Sequence, residues 1–121
     1  MRYAMLIYGD ESAAENASPE DQQAVVDAYY AYDREVREKG LWSAGKALLP
    51  TTTATTVRVQ GGETLTSDGP FAETKEQLGG FYILDCKDLD EAIEYAAKIP
   101  GAAFGGSIEV RPIMEFPDIP G

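Results

Sequence analysis

Residues 2–8 read RYAMLIY and residues 81–86 read FYILDC, and these two apolar runs decide the fold. Each run has the length of a strand and is rich in aromatic and branched side chains, which favour extended structure. Each is also apolar in both phases of the strand alternation, whereas a half-buried strand alternates polar and apolar residues. The sequence therefore predicts two central strands of a sheet that is covered on both of its faces.

One amphipathic helix is predicted to follow each apolar run. The first begins at Ser18-Pro19, an N-cap followed by proline at the first helical position, and ends at Gly40. The second begins at Asp88, has Glu91 three residues on, and ends at Pro100-Gly101. The spacing predicts inner stripes at Val25, Tyr29, Tyr32 and Val36 in the first helix and at Leu89, Ala92, Ile93, Ala96 and Ile99 in the second.

The rest of the chain supplies shorter extended segments and loops. Residues 9–17 are predicted to be a polar loop, and residues 41–50 a short extended segment. β-Branched residues on either side of Gly61-Gly62 indicate a hairpin. A last strand is predicted over 107–114, after the turn glycines Gly105-Gly106. The order predicts an α+β fold of β-α-β-β-α-β type with an added hairpin, in which both helices cover one face of an antiparallel sheet.

The two strands with apolar side chains on both faces predict how copies of the chain assemble. Because the helices cover one face of the sheet, the second apolar face needs another cover, and the same face of a second copy is the economical one. We therefore predict a homodimer. We expect one domain over residues 1–116 and a loosely ordered tail over 117–121.

The composition excludes several kinds of site. The 121 residues include 21 Asp plus Glu against 10 Lys plus Arg, which gives a formal net charge of −11, and no histidine. The missing histidine excludes Ser-His-Asp and Cys-His nucleophilic sites, histidine zinc sites and a histidine general base. The acidic balance disfavours nucleic acid and anionic membranes as partners. A single cysteine, Cys86, and the lack of a signal sequence or a long apolar run predict a cytoplasmic protein.

Residues 68–85, DGPFAETKEQLGGFYILD, resemble the signature of the YCII-related domain family in its DGPF branch. The opening MRYAMLIYGDE and the closing GSIEVRPIMEF are also similar to that family, so the resemblance covers almost the whole chain. It implies a ferredoxin-like fold assembled as a dimeric α/β barrel. It also implies a largely uncharacterised family, with members near bacterial alternative sigma factors and a supposed ligand-binding or enzymatic role.

The family resemblance implies an acid–base residue at Asp68. A His–Asp pair is the proposed site in the more enzyme-like branch, and this chain offers only the aspartate half. An ordinary aspartate, with a pKa near ~3.9, is a weak base at neutral pH, so the role requires burial or a partner. Asp-Gly-Pro is also common turn chemistry, with Phe71 as the anchor of the loop on the sheet.

Five further residues are candidates for ligand binding. Lys75 would hold an anionic or carbonyl group and Glu76 would fix the lysine, although both also suit a solvated ion-paired surface. Arg111 would line a dimer cleft or pair across strands with Glu109. Tyr8, like Tyr82 and Trp42, suits a pocket or the core. Phe71 completes the set.

Two functions stay open at this point. The first is a homodimer that binds a small molecule of unknown identity, with weak acid–base activity. The second is a non-catalytic regulatory or interaction module linked to sigma-factor-dependent transcription, since an acidic surface suits a basic protein partner better than DNA. No cofactor or metal is predicted, because no glycine or carboxylate spacing matches a known nucleotide or cation loop.

Overall fold

Four strands form one antiparallel sheet and two more form a separate hairpin. The computed structural model describes residues 1–117. In chain order the elements are β1 (Arg2–Gly9), α1 (Glu11–Glu15), α2 (Pro19–Glu38), β2 (Trp42–Ala47), a 3-10 turn (Thr51–Thr53), β3 (Thr55–Gln60), β4 (Glu63–Asp68), β5 (Gln77–Asp85), α3 (Leu89–Ala97), α4 (Pro100–Ala103) and β6 (Ser107–Pro112). The predicted tail lies outside the described residues, except for residue 117.

The main sheet has the strand order β2-β5-β1-β6, and all of its neighbours are antiparallel. This is the ferredoxin-like order, with the two apolar runs as the central strands β1 and β5. The predicted α+β fold with an added hairpin is thereby confirmed. A closed barrel requires a second sheet and stays a prediction. No helix within residues 1–117 has both the length and the apolar composition needed to cross a membrane.

The core lies between the sheet and the helices α2 and α3. It consists of Tyr3, Met5, Tyr32, Val36, Tyr82, Leu84, Cys86, Ala92, Tyr95, Ala96 and Ile99. Side chains of opposite phase lie on the other face of the sheet, which we call the open face. Its central residues are Ala4 and Leu6 of β1 and Phe81 and Ile83 of β5, all only half-buried in the single chain.

The predicted caps of both long helices are present. The Ser18 hydroxyl accepts a hydrogen bond from the Asp21 N–H at 3.1 Å, and Gly40 takes a positive φ of 74° just after the helix. The Asp88 carboxylate accepts from the Glu91 N–H at 2.9 Å. Of the inner stripe of α2, only Tyr32 and Val36 are buried, both in its second half.

The structure corrects two local predictions. Residues 11–15 form α1 rather than a loop, because the Asp10 carboxylate caps them by accepting from the Ser12 N–H at 2.9 Å. In α3, Leu89 and Ile93 are half exposed at 50% and 52%, and Tyr95 occupies the core instead. A short amphipathic helix could bury either the stripe with Leu89 and Ile93 or the stripe with Tyr95. Packing against α2 selects the stripe that contains Tyr95.

The predicted hairpin is confirmed. Gly61 and Gly62 both have positive φ, 57° and 80°, as a two-residue hairpin turn requires. The hairpin pairs with no strand of the main sheet, and its valines and leucine are exposed. The prediction that Phe71 anchors the following loop is wrong, since its side chain is 77% exposed. The loop starts beside the hairpin, because the Gly69 N–H donates to the Ala54 carbonyl at 2.7 Å.

Candidate functional site

A cleft of about 920 Å³ lies on the helix-covered side of the sheet, under the first half of α2. Its walls come from α1, α2, the end of β1, the end of β2, the first half of β5 and the turn between α4 and β6. It forms where the core ends, because the buried residues of α2 lie only in the second half of that helix. The volume is in the range of sites that bind small molecules.

Glycine main chain makes up much of the cleft wall. The glycines that line it are Gly9, Gly45, Gly79, Gly80, Gly101, Gly105 and Gly106. A Cβ on Gly45 would lie 2.8 Å from the Tyr82 ring, and one on Gly101 would lie 2.9 Å from the Tyr29 hydroxyl oxygen. At Gly9, by contrast, no atom of residues 1–117 lies within 4 Å of the Cβ position, apart from Gly9 itself and its two chain neighbours. The glycines thus permit close backbone packing in some places and leave open space in others.

Two tyrosine hydroxyls enter this space from opposite walls. Tyr82 of β5 is only 8% exposed, and its hydroxyl makes no hydrogen bond with any residue in the range 1–117. The Tyr29 hydroxyl of α2 accepts from the Gly101 N–H at 3.1 Å. Burial raises the pKa of Tyr29, and burial together with the nearby Asp33 carboxylate raises the pKa of Tyr82 to about 12. Both phenols are therefore protonated at neutral pH.

Asp33 completes this group, which we call the tyrosine–aspartate cluster (Tyr29, Asp33 and Tyr82). It lies one helical turn after Tyr29 and lines the same cleft. Its Oδ2 accepts a hydrogen bond from Arg37 Nε at 2.7 Å, and its Oδ1 makes none with the described part of the chain. The Arg37 guanidinium lies 3.8 Å from the centre of the Trp42 ring, which holds it outside the cleft lining.

Hydrogen bonds fix α1 at the rim of the cleft. The Glu11 N–H donates to the Gln77 side-chain oxygen at 3.0 Å, which ties α1 to β5. The Glu11 carboxylate accepts from both the N–H and the hydroxyl of Thr51, each at 2.8 Å. Buried polar contacts of this kind position a rim better than exposed ion pairs do, because water competes less.

The structure brings together two of the residues predicted for the site and leaves the others apart. Tyr8 and Glu76 lie at the rim of the cleft, where the Glu76 carboxylate accepts from the Ser107 hydroxyl at 3.3 Å. Asp68 is exposed at the last residue of β4, opposite Thr55 of β3. Its catalytic role stays a prediction.

The remaining predicted residues lie outside the cleft. Lys75 is exposed and forms no ion pair within 4.0 Å with Asp68 or Glu76, so the predicted constellation is not assembled in this chain. Phe71 is exposed in the same loop. Arg111 pairs with Glu109 on the open face, which raises the pKa of the guanidinium through that hydrogen bond. The ligand-binding roles of these residues stay predictions.

Sequence reasoning found Tyr82 as an alternative and missed Asp33. The signal for Asp33 was its spacing, since Val25, Tyr29 and Asp33 follow one another at intervals of four along one helix. A carboxylate that continues an apolar stripe indicates a place where the stripe leaves the core. Of the cleft glycines, Gly105 and Gly106 were predicted as turn residues, and nothing in the local sequence distinguishes a turn glycine from one that borders a cleft.

Neither the cysteine nor a metal cluster adds chemistry to this site. Cys86 is buried, and burial raises the pKa of its thiol to about 11, so the thiol is protonated and unreactive at neutral pH. Within residues 1–117 no three Cys, Asp or Glu side chains come close enough together to hold a metal ion.

Comparisons with known proteins match the chain over nearly its full length. The family model described as the YCII-related domain matches residues 1–117. An uncharacterised protein of Rhizobium meliloti (strain 1021) is 46% identical over 117 residues, which cover 96% of this chain and 94% of that protein. The match therefore includes every residue of the cleft, the hairpin and the open face.

Proposed function

The chain belongs to the YCII-related domain family, and from that premise we propose that it binds a small molecule in the cleft under α2. One observation carries the proposal: Tyr82 is only 8% exposed and lines the cleft, and its hydroxyl has no hydrogen-bond partner among the described residues. A hydroxyl that borders a cleft without a protein partner is free to hydrogen-bond to a ligand, and a hydrogen bond of this kind contributes about 0.5–1.5 kcal/mol.

The chemistry of the cluster favours binding over acid–base catalysis. A general base at neutral pH needs a pKa near the working pH, and both cluster phenols have raised pKa values. Asp33 is engaged by Arg37 through one oxygen. The cluster therefore offers hydrogen-bond donors and acceptors at fixed positions rather than a proton acceptor.

The first test fills the cleft from Gly9. This residue lies two positions after Ile7 in β1, and its Cβ position on that helix-facing side is free of other atoms within 4 Å. A phenylalanine there should occupy the cleft without displacing its walls. We expect wild-type protein to bind the neutral probe 2-phenylethanol in saturation-transfer NMR, and the Gly9→Phe variant to lose that signal with a melting temperature within about 5 °C of wild type.

The matched control for this test is Ala31→Phe on the exposed side of α2, outside the cleft lining. It adds the same ring to the surface and should leave probe binding unchanged. Equal saturation transfer in wild type and Gly9→Phe would show that the probe binds elsewhere, and the proposal would then be wrong.

We also propose that two copies pair through the open face. The half-buried Leu6, Phe81 and Ile83 form an apolar centre that the helices of the same chain do not cover. The β3–β4 hairpin adds exposed Val57 and Val59, and an isolated two-stranded hairpin is marginal without a surface to pack on. A second copy would cover both features. The alternative of a regulatory interaction module stays a prediction.

Light scattering after size exclusion tests the pairing. We expect a mass of twice the 13.1 kDa chain at micromolar concentration. Leu6→Glu places a charge at the centre of the open face and should reduce the mass to that of one chain. Val26→Glu, on the exposed side of α2, is the control and should not. A wild-type mass near 13.1 kDa would contradict the pairing.

A further inference from the structure

The charged side chains around the cleft have one sign. Asp10, Glu11, Asp21 and Asp33 line it from α1, α2 and the turn that precedes α1, and Glu76 lines it just before β5. Lys46 is the one basic residue in the lining among residues 1–117. It pairs with Phe81 in the β2–β5 register, one position from the helix-facing pair Gly45 and Tyr82, so the strand alternation directs its side chain toward the open face.

Three of the five carboxylates already accept hydrogen bonds within the fold. Asp10 caps α1, Glu11 accepts two hydrogen bonds from Thr51, and Glu76 accepts one from the Ser107 hydroxyl. Asp33 keeps one oxygen, Oδ1, without a hydrogen bond from residues 1–117. That free oxygen belongs to the tyrosine–aspartate cluster, where the unpartnered Tyr82 hydroxyl also lies. The cluster therefore has acceptors available for a donor that the chain does not supply.

The aromatic rings of the cluster favour the same kind of ligand. A tyrosine ring carries negative potential on its face and attracts an ammonium group, more strongly where water is partly excluded. A phenol oxygen and a carboxylate oxygen both accept from an ammonium N–H. A small hard cation such as Ca²⁺ needs six or more oxygen ligands, and no three carboxylates of the described residues lie close enough together to hold a metal ion.

We propose that the cleft binds an organic cation, a primary amine on an apolar body, with its ammonium group between Asp33 and the Tyr82 hydroxyl. This inference rests on the proposed function and adds the chemical class of the ligand. The apolar body lies against Val25 and the glycine walls, and the ammonium donates to the Tyr82 hydroxyl oxygen and to Asp33 Oδ1, which accept no hydrogen bond from residues 1–117. An anion of the same size is repelled by the five carboxylates of the lining.

Three probes with the same ring and nearly the same length separate charge from shape. They are 2-phenylethylamine, 2-phenylethanol and phenylacetate, which are cationic, neutral and anionic at pH 7. Titrations followed by amide shifts in nitrogen-15 spectra give each Kd and map it through the amides of the cleft glycines. We expect the amine to bind about fivefold or more tighter than the alcohol, and phenylacetate to bind most weakly.

Substitution of Asp33 tests the proposed contact. Asp33→Asn should weaken the amine to the affinity of the alcohol and leave the alcohol within about twofold of its wild-type Kd, because an amide still accepts a hydrogen bond but carries no charge. Asp90→Asn makes the same charge change on the exposed first turn of α3, outside the cleft lining. This control should keep the preference for the amine.

The outcomes distinguish the inference from the function on which it rests. If Gly9→Phe abolishes binding of all three probes but the amine has no advantage, the cleft binds ligands and the cation inference is wrong. If Asp33→Asn and Asp90→Asn reduce amine affinity equally, the preference comes from the net charge of the chain and the proposed contact is wrong. If no probe binds, or Gly9→Phe changes none of the affinities, both proposals fall.

Discussion

Replacing Gly106 with alanine is expected to lower the free energy of unfolding by about 3 kcal/mol or more. A Cβ on this residue would overlap the carbonyl oxygen of Tyr8 and would lie 2.9 Å from the carbonyl oxygen of Gly101. Both oxygens belong to the main chain, and the Gly106 N–H already donates to the Gly101 carbonyl at 2.8 Å. Relief of the overlap therefore requires movement of β1 or loss of the turn that leads into β6.

Gly79→Ala is the matched control for this variant. It introduces the same methyl group in the cleft wall, but the nearest atom, the Ile7 carbonyl oxygen, lies 3.9 Å away at ordinary contact distance. Removing a glycine also restricts the unfolded chain by the same amount in both variants, so their difference isolates the overlap. Urea unfolding curves measure that difference. A Gly106→Ala protein within about 1 kcal/mol of Gly79→Ala would show that the backbone adjusts freely there.

Raising the pH from 9 to 12 is expected to unfold the protein. Burial raises the pKa of the Cys86 thiol from 9.0 to about 11 and that of the Tyr82 phenol from 10.0 to about 12. The folded state thus holds these protons more tightly than the unfolded state does. Their contribution is complete below about pH 9 and is lost as the pH rises through 11 and 12. Each of the two pKa increases corresponds to about 3 kcal/mol of folding stability. Together they approach the whole free energy of unfolding of a small domain.

Urea midpoints between pH 6 and pH 12, with tyrosinate absorbance at 295 nm, measure this loss. Tyr32 adds to it, since burial raises the pKa of its hydroxyl too. Cys86→Ala and Tyr82→Phe each remove one of the titrating groups. Each variant should therefore lose less stability between pH 9 and pH 12 than the wild type does, by the contribution of the group removed. Between pH 6 and pH 8 the midpoint should stay constant, because the chain contains no histidine. A constant midpoint up to pH 11 would contradict the expectation.

Much of the fold follows from short-range signals that do not depend on tertiary context. Ser18 and Asp88 cap their helices as predicted, and Gly61-Gly62 turns the hairpin, because a cap or a tight turn is decided within four or five residues. The apolar runs place β1 and β5 at the centre of the sheet. Periodicity together with these local signals was enough for the topology.

The remaining features depend on packing between distant residues. Tyr95 rather than Ile93 enters the core, because α3 turns toward α2, and the sequence of α3 suits both orientations. Phe71 stays exposed because the loop follows the hairpin, whose position relative to the sheet has no sequence signal. The cleft also has no sequence signal, because Asp33 and Tyr82 are distant in sequence and come together only where glycines leave space between the elements.

The two halves of α2 are packed unequally, and this difference determines how a bound molecule would affect the helix. Its second half is held by Tyr32 and Val36 in the core, whereas its first half is held by the Ser18 cap and by half-buried side chains above the cleft. The first half therefore opens at lower free-energy cost than the second, and transient opening gives access to the cleft from solution. A molecule that fills the cleft supplies the missing core beneath that half, so part of its binding energy appears as local order in the helix rather than as affinity.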